Sequence, residues 1–154
     1  MRQRYVLDTS SLVSIVNSDD AEHFSCYSFF QNLHNEDKAI WVVPGLILFE
    51  FQATQSRRYR DRRPGHPVFR HAPLFYTNTE LFQVTKKFLK KVYDLGLYDK
   101  FSNLRGADLL YACIARAEDI PLVTHDKDFD VYSREITIIR PPDLYRHKRY
   151  AAEF

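Results

Sequence analysis

No apolar run in the sequence approaches the about 18 residues of a membrane-spanning helix, so a spanning segment is not expected. The opening Met1-Arg2-Gln3-Arg4-Tyr5-Val6-Leu7-Asp8 carries an apolar stretch far too short for a secretory signal, and a soluble, cytoplasmic protein is the expectation. Cysteine is scarce: Cys26 and Cys113 are the only two. Neither has metal-site spacing. Two thiols within helical segments fit burial in a reducing compartment better than a disulfide scaffold. Charge of one sign is lacking too, since 22 basic residues against 20 acidic ones leave a formal net charge of +2. That balance alone names no polyanionic partner, and the distribution of charge has to be read instead. There is no internal repeat.

What is present suits one compact domain over residues 1–154. Hydrophobic residues make up 45% and charged residues 27%, a globular balance, and twelve Phe and ten Tyr supply large rings for a core. Four short apolar runs read as strands: Tyr5–Leu7, Ile40–Val43, Leu122–Thr124 and Ile136–Ile139, with a weaker fifth at Leu74–Tyr76. Helical patterns lie between them. Ser10–Val16 follows the first strand, and Ala21–Leu33 follows Asp19 or Asp20 as N-cap. Leu46–Phe51, after Pro44-Gly45, reads as a helix buried all round apart from Glu50. Thr79–Leu95 places Leu81, Val84, Phe88, Val92 and Leu95 on one stripe, with Lys86, Lys87, Lys90 and Lys91 as the solvated face opposite. Ala107–Ala117 completes the set. This alternation predicts a three-layer α/β/α domain around a mostly parallel sheet of four or five strands. Two stretches break the pattern: a basic excursion over residues 56–72, with two prolines and a glycine, and a basic tail over residues 142–154.

The acids fall at telling places. Asp8 ends the first strand. Asp126 lies two residues beyond Thr124 at the end of another, and the carboxyl ends of parallel strands form the ligand crevice of such sheets. Asp108 sits in the first turn of its helix, and Glu50 interrupts an apolar one. Each has a plainer reading as an N-cap, a complement to a helix dipole, or a carboxylate satisfied by a basic partner. Converging on one cleft, however, they would repel one another, and a divalent cation resolves that conflict. Mg2+ or Mn2+ prefers oxygen ligands and, with phosphate present, suits phosphodiester hydrolysis.

These residues carry a family resemblance. Val6-Leu7-Asp8-Thr9-Ser10-Ser11-Leu12 resembles the first motif of PIN domains. Gly106-Ala107-Asp108-Leu109-Leu110-Tyr111-Ala112-Cys113-Ile114-Ala115 resembles their third, and Leu122-Val123-Thr124-His125-Asp126-Lys127-Asp128-Phe129 their fourth. Glu50 falls where the family places its glutamate, and the match runs from about Tyr5 to Pro141. The closest subgroup is the VapC-type toxins of bacterial and archaeal toxin–antitoxin pairs. The resemblance implies a PIN fold, Mg2+ or Mn2+ dependence, endoribonuclease activity, a homodimer, and a small antitoxin that blocks the cleft. It carries Asp8, Asp108 and Asp126 over as metal ligands and Glu50 as a catalytic acid acting through bound water. Ser10, Thr124 and Asp128 would orient the carboxylates or phosphate, unless Asp128 only caps its turn.

The basic excursion departs from a minimal toxin of this family. Arg57, Arg58, Arg60, Arg62 and Arg63 read as an RNA clamp, with Tyr59 or Phe69 stacking on an unpaired base, as a dock for an acidic antitoxin tail, or as a solvated loop. His125, beside Asp126, could touch substrate. Rival readings are a PIN nuclease of RNA processing or decay, an inactive PIN-fold module that binds RNA or protein, and a DNA substrate. A receiver-like domain would need an acidic pair near the first strand, and Arg2-Gln3-Arg4 supplies none.

Overall fold

The computed structural model describes residues 2–58 and 78–141. Strand β1 (Gln3–Leu7) leads into helices α1 (Thr9–Val16) and α2 (His23–Asn35), and β2 (Ala39–Pro44) leads into α3 (Gly45–Arg58). Next come β3 (Thr79–Phe82), α4 (Lys86–Asp94), the short α5 (Leu97–Lys100) and α6 (Gly106–Glu118). Finally β4 (Leu122–Val123) passes through a 3-10 helix, Lys127–Tyr132, to β5 (Ile138–Ile139).

The strands form one sheet in the order β3-β2-β1-β4-β5, and every pairing is parallel. Val6 stands beside Val42 on one side and Leu122 on the other, so β1 is central. Its Val6 and Leu7 are buried with Val42, Val43, Leu122 and Val123, as the continuous apolar runs require. Parallel pairing sends every strand's carboxyl end to the same edge. The chain winds outward from β1 in one direction and from β4 in the other, so the topological switch point lies between them. Asp8 follows β1 and Thr124 follows β4 at that point.

The core is aromatic at one end. Trp41, 1% exposed, stacks on Phe30 at 4.7 Å and packs against Tyr5 at 5.5 Å. Cys26 and Cys113 are both free and buried, as expected.

Four sequence expectations are corrected. The helix expected over Thr79–Leu95 is split: Thr79–Phe82 pairs with Trp41–Pro44 as β3, and the Thr85 side chain accepts the Phe88 N–H to start α4. Strand pairing overrode the helical spacing. Only Phe88 and Val92 of that stripe are buried, whereas Leu81, Val84 and Leu95 are exposed. The lysines opposite are exposed, as predicted. Helix α3 is not buried all round, because Ile47 and Phe51 face the core while Leu46 and Phe49 are exposed. It also runs through Arg58, so the excursion expected from residue 56 does not begin before residue 59. Ile136 precedes its strand rather than opening it: its N–H donates to the Tyr132 carbonyl at 3.0 Å. The weak strand Leu74–Tyr76, residues 59–72 of the excursion and the tail 142–154 lie outside the described residues.

Candidate active site

Asp8 is fixed by the chain on both sides of the switch point. Its N–H donates to the Val123 carbonyl at 3.3 Å. Its carboxylate caps α1, Oδ1 accepting the Ser11 N–H at 2.8 Å. The Ser10 hydroxyl reaches both oxygens, at 2.8 and 2.9 Å, and the Thr124 hydroxyl donates to Oδ2. Burial pushes the Asp8 pKa up, and the hydrogen bonds from the Ser11 backbone, Thr124 and Ser10 pull against it.

The same hydroxyls shape the turn after β4. Thr124 Oγ1 accepts the Asp126 N–H at 3.0 Å, and Ser10 Oγ accepts the His125 N–H at 3.3 Å. Asp126 in turn caps the 3-10 helix, its Oδ1 accepting the Asp128 N–H at 2.9 Å. Cys26 reaches this turn from α2, with Sγ 2.6 Å from His125 Nε2, and burial lifts its thiol to about 12.

Among the described residues, two hydroxyls satisfy Glu50: Thr9 Oγ1 donates to Oε2 at 2.7 Å and the Tyr111 hydroxyl donates to the same oxygen at 3.1 Å. Thr9 and Tyr111 are themselves 2.9 Å apart, closing a ring drawn from α1, α3 and α6.

Asp108 ties these groups electrostatically. It lies in the first turn of α6, one turn before Tyr111. Its carboxyl is raised to about 6, first by burial and then by the charges of Asp126, Asp8, Glu50 and Asp128. Asp126, Asp8 and Glu50, scattered along the sequence, thus each act on Asp108, after burial.

The donor chemistry fits a hard divalent cation: the groups are oxygen-only carboxylates, and Asp108 is raised by burial and by the charges of the other three. Among the described residues, no three His, Cys, Asp or Glu side chains already form a group that could hold a metal ion. Hydrogen bonds tether the Asp8 and Glu50 carboxylates in place.

The plainer readings hold alongside this one. Asp8 and Asp126 are N-caps, and Asp108 complements its helix dipole. Asp128 is exposed and its backbone is the capped group rather than the capping one. Arg57 is exposed, its Nε donating to the Ala53 carbonyl at 3.2 Å. Arg60, Arg62 and Arg63 lie outside the described residues. Sequence reasoning missed Thr9, Tyr111 and Arg140. Thr9 stands in a run of hydroxyls directly after Asp8, which was a usable signal. Tyr111 read as part of an apolar stripe, and nothing in the local sequence marks Arg140.

The sequence model of the PIN domain matches residues 5–135. No curated protein sequence matches the chain. Solved structures do. The structure of VapBC2 from Rickettsia felis, bound to a DNA fragment from their promoter, matches at 20% identity and a TM-score of 0.63, covering 89% of this chain and 98% of that one. VapC20 of Mycobacterium tuberculosis, a sarcin-ricin-loop-cleaving toxin, matches at 18% identity and a TM-score of 0.64, covering 89% and 99%. FitAcB from Neisseria gonorrhoeae matches at 15% identity and a TM-score of 0.56, covering 89% and 97%. At these identities the likeness speaks for the fold.

Proposed function

The chain belongs to the PIN-domain family, and from that premise we propose that it is a metal-dependent endoribonuclease, the toxin of a toxin–antitoxin pair. The observation that carries the reading is the Thr124 hydroxyl, which bonds both the Asp8 carboxylate and the Asp126 N–H and so ties two of the acids to one place; Asp108 is raised first by burial and then by the charges of Asp126, Asp8 and Glu50. Asp8, Asp108 and Asp126 would hold Mg2+ or Mn2+. When bound, such an ion activates water and stabilises charge on a phosphodiester.

The chain's own residues do the rest. Ser10, Ser11 and Thr124 fix the Asp8 carboxylate against rotation. Thr9 and Tyr111 hold Glu50 Oε2, so the carboxylate keeps one orientation toward the attacking water. In-line attack by water leaves a 5′-phosphate and a 3′-hydroxyl. Arg57 and Arg58, at the end of α3, with Arg60, Arg62 and Arg63 beyond it, would bind RNA phosphates. We take the chain as a single catalytic domain that works in the cytoplasm as a homodimer. Among the described residues no helix is long and apolar enough to cross a membrane. A small antitoxin as partner is supported by the VapBC assemblies among the structural relatives.

The test is incubation of the purified protein with end-labelled single-stranded RNA in Mg2+ or Mn2+, with EDTA and Asp8→Asn as controls. Cleavage that needs the metal, disappears in Asp8→Asn and leaves 5′-phosphate ends supports the reading. A 2′,3′-cyclic phosphate product overturns it. Cleavage of DNA but not RNA would move the substrate, and binding without cleavage would make the chain an inactive module.

A further inference from the structure

Strand β4 is only two residues long, so the sheet ladder stops before the turn that presents Asp126. The Thr124 N–H, donating to the Ile139 carbonyl at 3.2 Å, is the last rung. Beyond it the carbonyls of the turn point toward β5. Arg140, directly after that strand, meets them. Its Nη1 donates to the Thr124 carbonyl at 3.4 Å and its Nη2 to the Asp126 carbonyl at 3.1 Å. Nη2 also donates to the Asp130 carboxylate, which anchors the guanidinium.

We propose that Arg140 is a positioning residue that locks the Thr124–Asp126 turn and thereby aims the Asp126 carboxylate; its catalytic meaning rests on the nuclease reading above. Three features carry this. The two carbonyls belong to the Thr124–His125 and Asp126–Lys127 peptides, so bridging them restrains the turn on both sides of the His125–Asp126 peptide. The guanidinium touches the Asp126 main chain and the Asp130 side chain, leaving the Asp126 carboxylate out of the contact. The arginine is the better shielded partner of its ion pair, with its side chain 22% exposed against 56% for Asp130. A planar fork offers the two carbonyls separate donors in a fixed geometry, whereas lysine offers one ammonium on a flexible stem. Groups that orient a metal-binding carboxylate are typically worth about 10- to 100-fold in affinity or activity when removed.

The test reads amide hydrogen exchange in metal-free protein together with Mn2+ binding by calorimetry, for wild type, Arg140→Met and Arg140→Lys. The reporters are the amides of His125, Asp126 and Asp128, each bonded to a side chain of the site, with Val6 and Leu7 of β1 as the core reference. In Arg140→Met the turn amides should exchange at least about 10-fold faster while the β1 amides hold, and Mn2+ should bind about 10- to 100-fold more weakly. Arg140→Lys, which keeps the charge and guards against a misfolded Met variant, should recover only part of both effects. Unchanged turn amides, or acceleration spread equally over the sheet, overturns the proposal. So does full recovery by lysine, or Mn2+ affinity equal to wild type. Should wild type bind no Mn2+ while the turn amides respond as expected, Arg140 keeps its role in the turn and the metal reading falls instead.

Discussion

Thr124 and Asp8 stand 116 positions apart in the chain and are joined by a buried hydrogen bond from the threonine hydroxyl to Oδ2 of the carboxylate. The bond crosses the switch point between β1 and β4, and it is what makes the end of each strand part of one site. The same hydroxyl accepts the Asp126 N–H. One side chain therefore sets two of the four acids.

Replacing Thr124 by Val keeps the shape and removes that link. A hydrogen bond to a charged, buried group is worth roughly 1.5–3 kcal/mol, so Thr124→Val should lose about that much stability in urea unfolding at neutral pH. A loss below about 0.5 kcal/mol, the level of an ordinary surface change, would contradict the role given to Thr124.

Asp108 supplies a pH dependence. Its folded-state value of about 6 lies above the ordinary 3.8, so the folded chain holds this proton more tightly than the unfolded chain. The stability it contributes is fully present below the ordinary value and is lost as the pH rises through about 6. Asp108→Asn removes the charge altogether. In EDTA, its melting temperature should exceed that of wild type by a margin that widens from about pH 5 to about pH 7.5. A margin independent of pH would show that neither burial nor the neighbouring carboxylates raise Asp108.

The ring around Glu50 predicts a split result for Tyr111→Phe. Losing the hydroxyl leaves Thr9 as donor to Glu50, with a stability cost of about 1 kcal/mol. Cleavage should suffer more: kcat falls by about 10- to 100-fold with little change in KM, because orientation of the carboxylate is what is lost. Equal kcat in the variant would separate Tyr111 from the chemistry.

The arginines after Glu50 enter the proposal as binders of RNA phosphate rather than as groups of the reaction. Replacing Arg57, Arg58 and Arg60 by Ala should weaken binding of single-stranded RNA and flatten its salt dependence. The log–log slope should fall by about 0.7 for each RNA phosphate the variant no longer neutralises. Filter binding at several salt concentrations measures this. An unchanged slope would leave the segment a solvated stretch or a protein dock.

Much of this architecture is legible in the sequence because its signals are local. β-Branched runs at Tyr5–Leu7 and Ile40–Val43 mark central strands, and Asp8, Asp108 and Asp126 each stand at an element boundary the pattern reveals. What failed was non-local. Thr79–Phe82 carries an apolar spacing compatible with a helix, and only the free edge of β2 makes it a strand. The partners of Glu50 come from α1 and α6, far outside any local window, and Arg140 bonds a turn 14 residues upstream with a 3-10 helix and β5 in between. Folding creates those relationships.

Calorimetric and thermal titration with Mn2+ of wild type and of Asp8→Asn, Asp108→Asn and Asp126→Asn tests the shared-pocket claim most directly. Wild type should bind the ion and, at about 100 times the dissociation constant, gain about 2.7 kcal/mol of stability, with each Asn variant losing most of that gain. Equal melting temperatures with and without Mn2+, together with RNA cleavage that continues in EDTA, would contradict it.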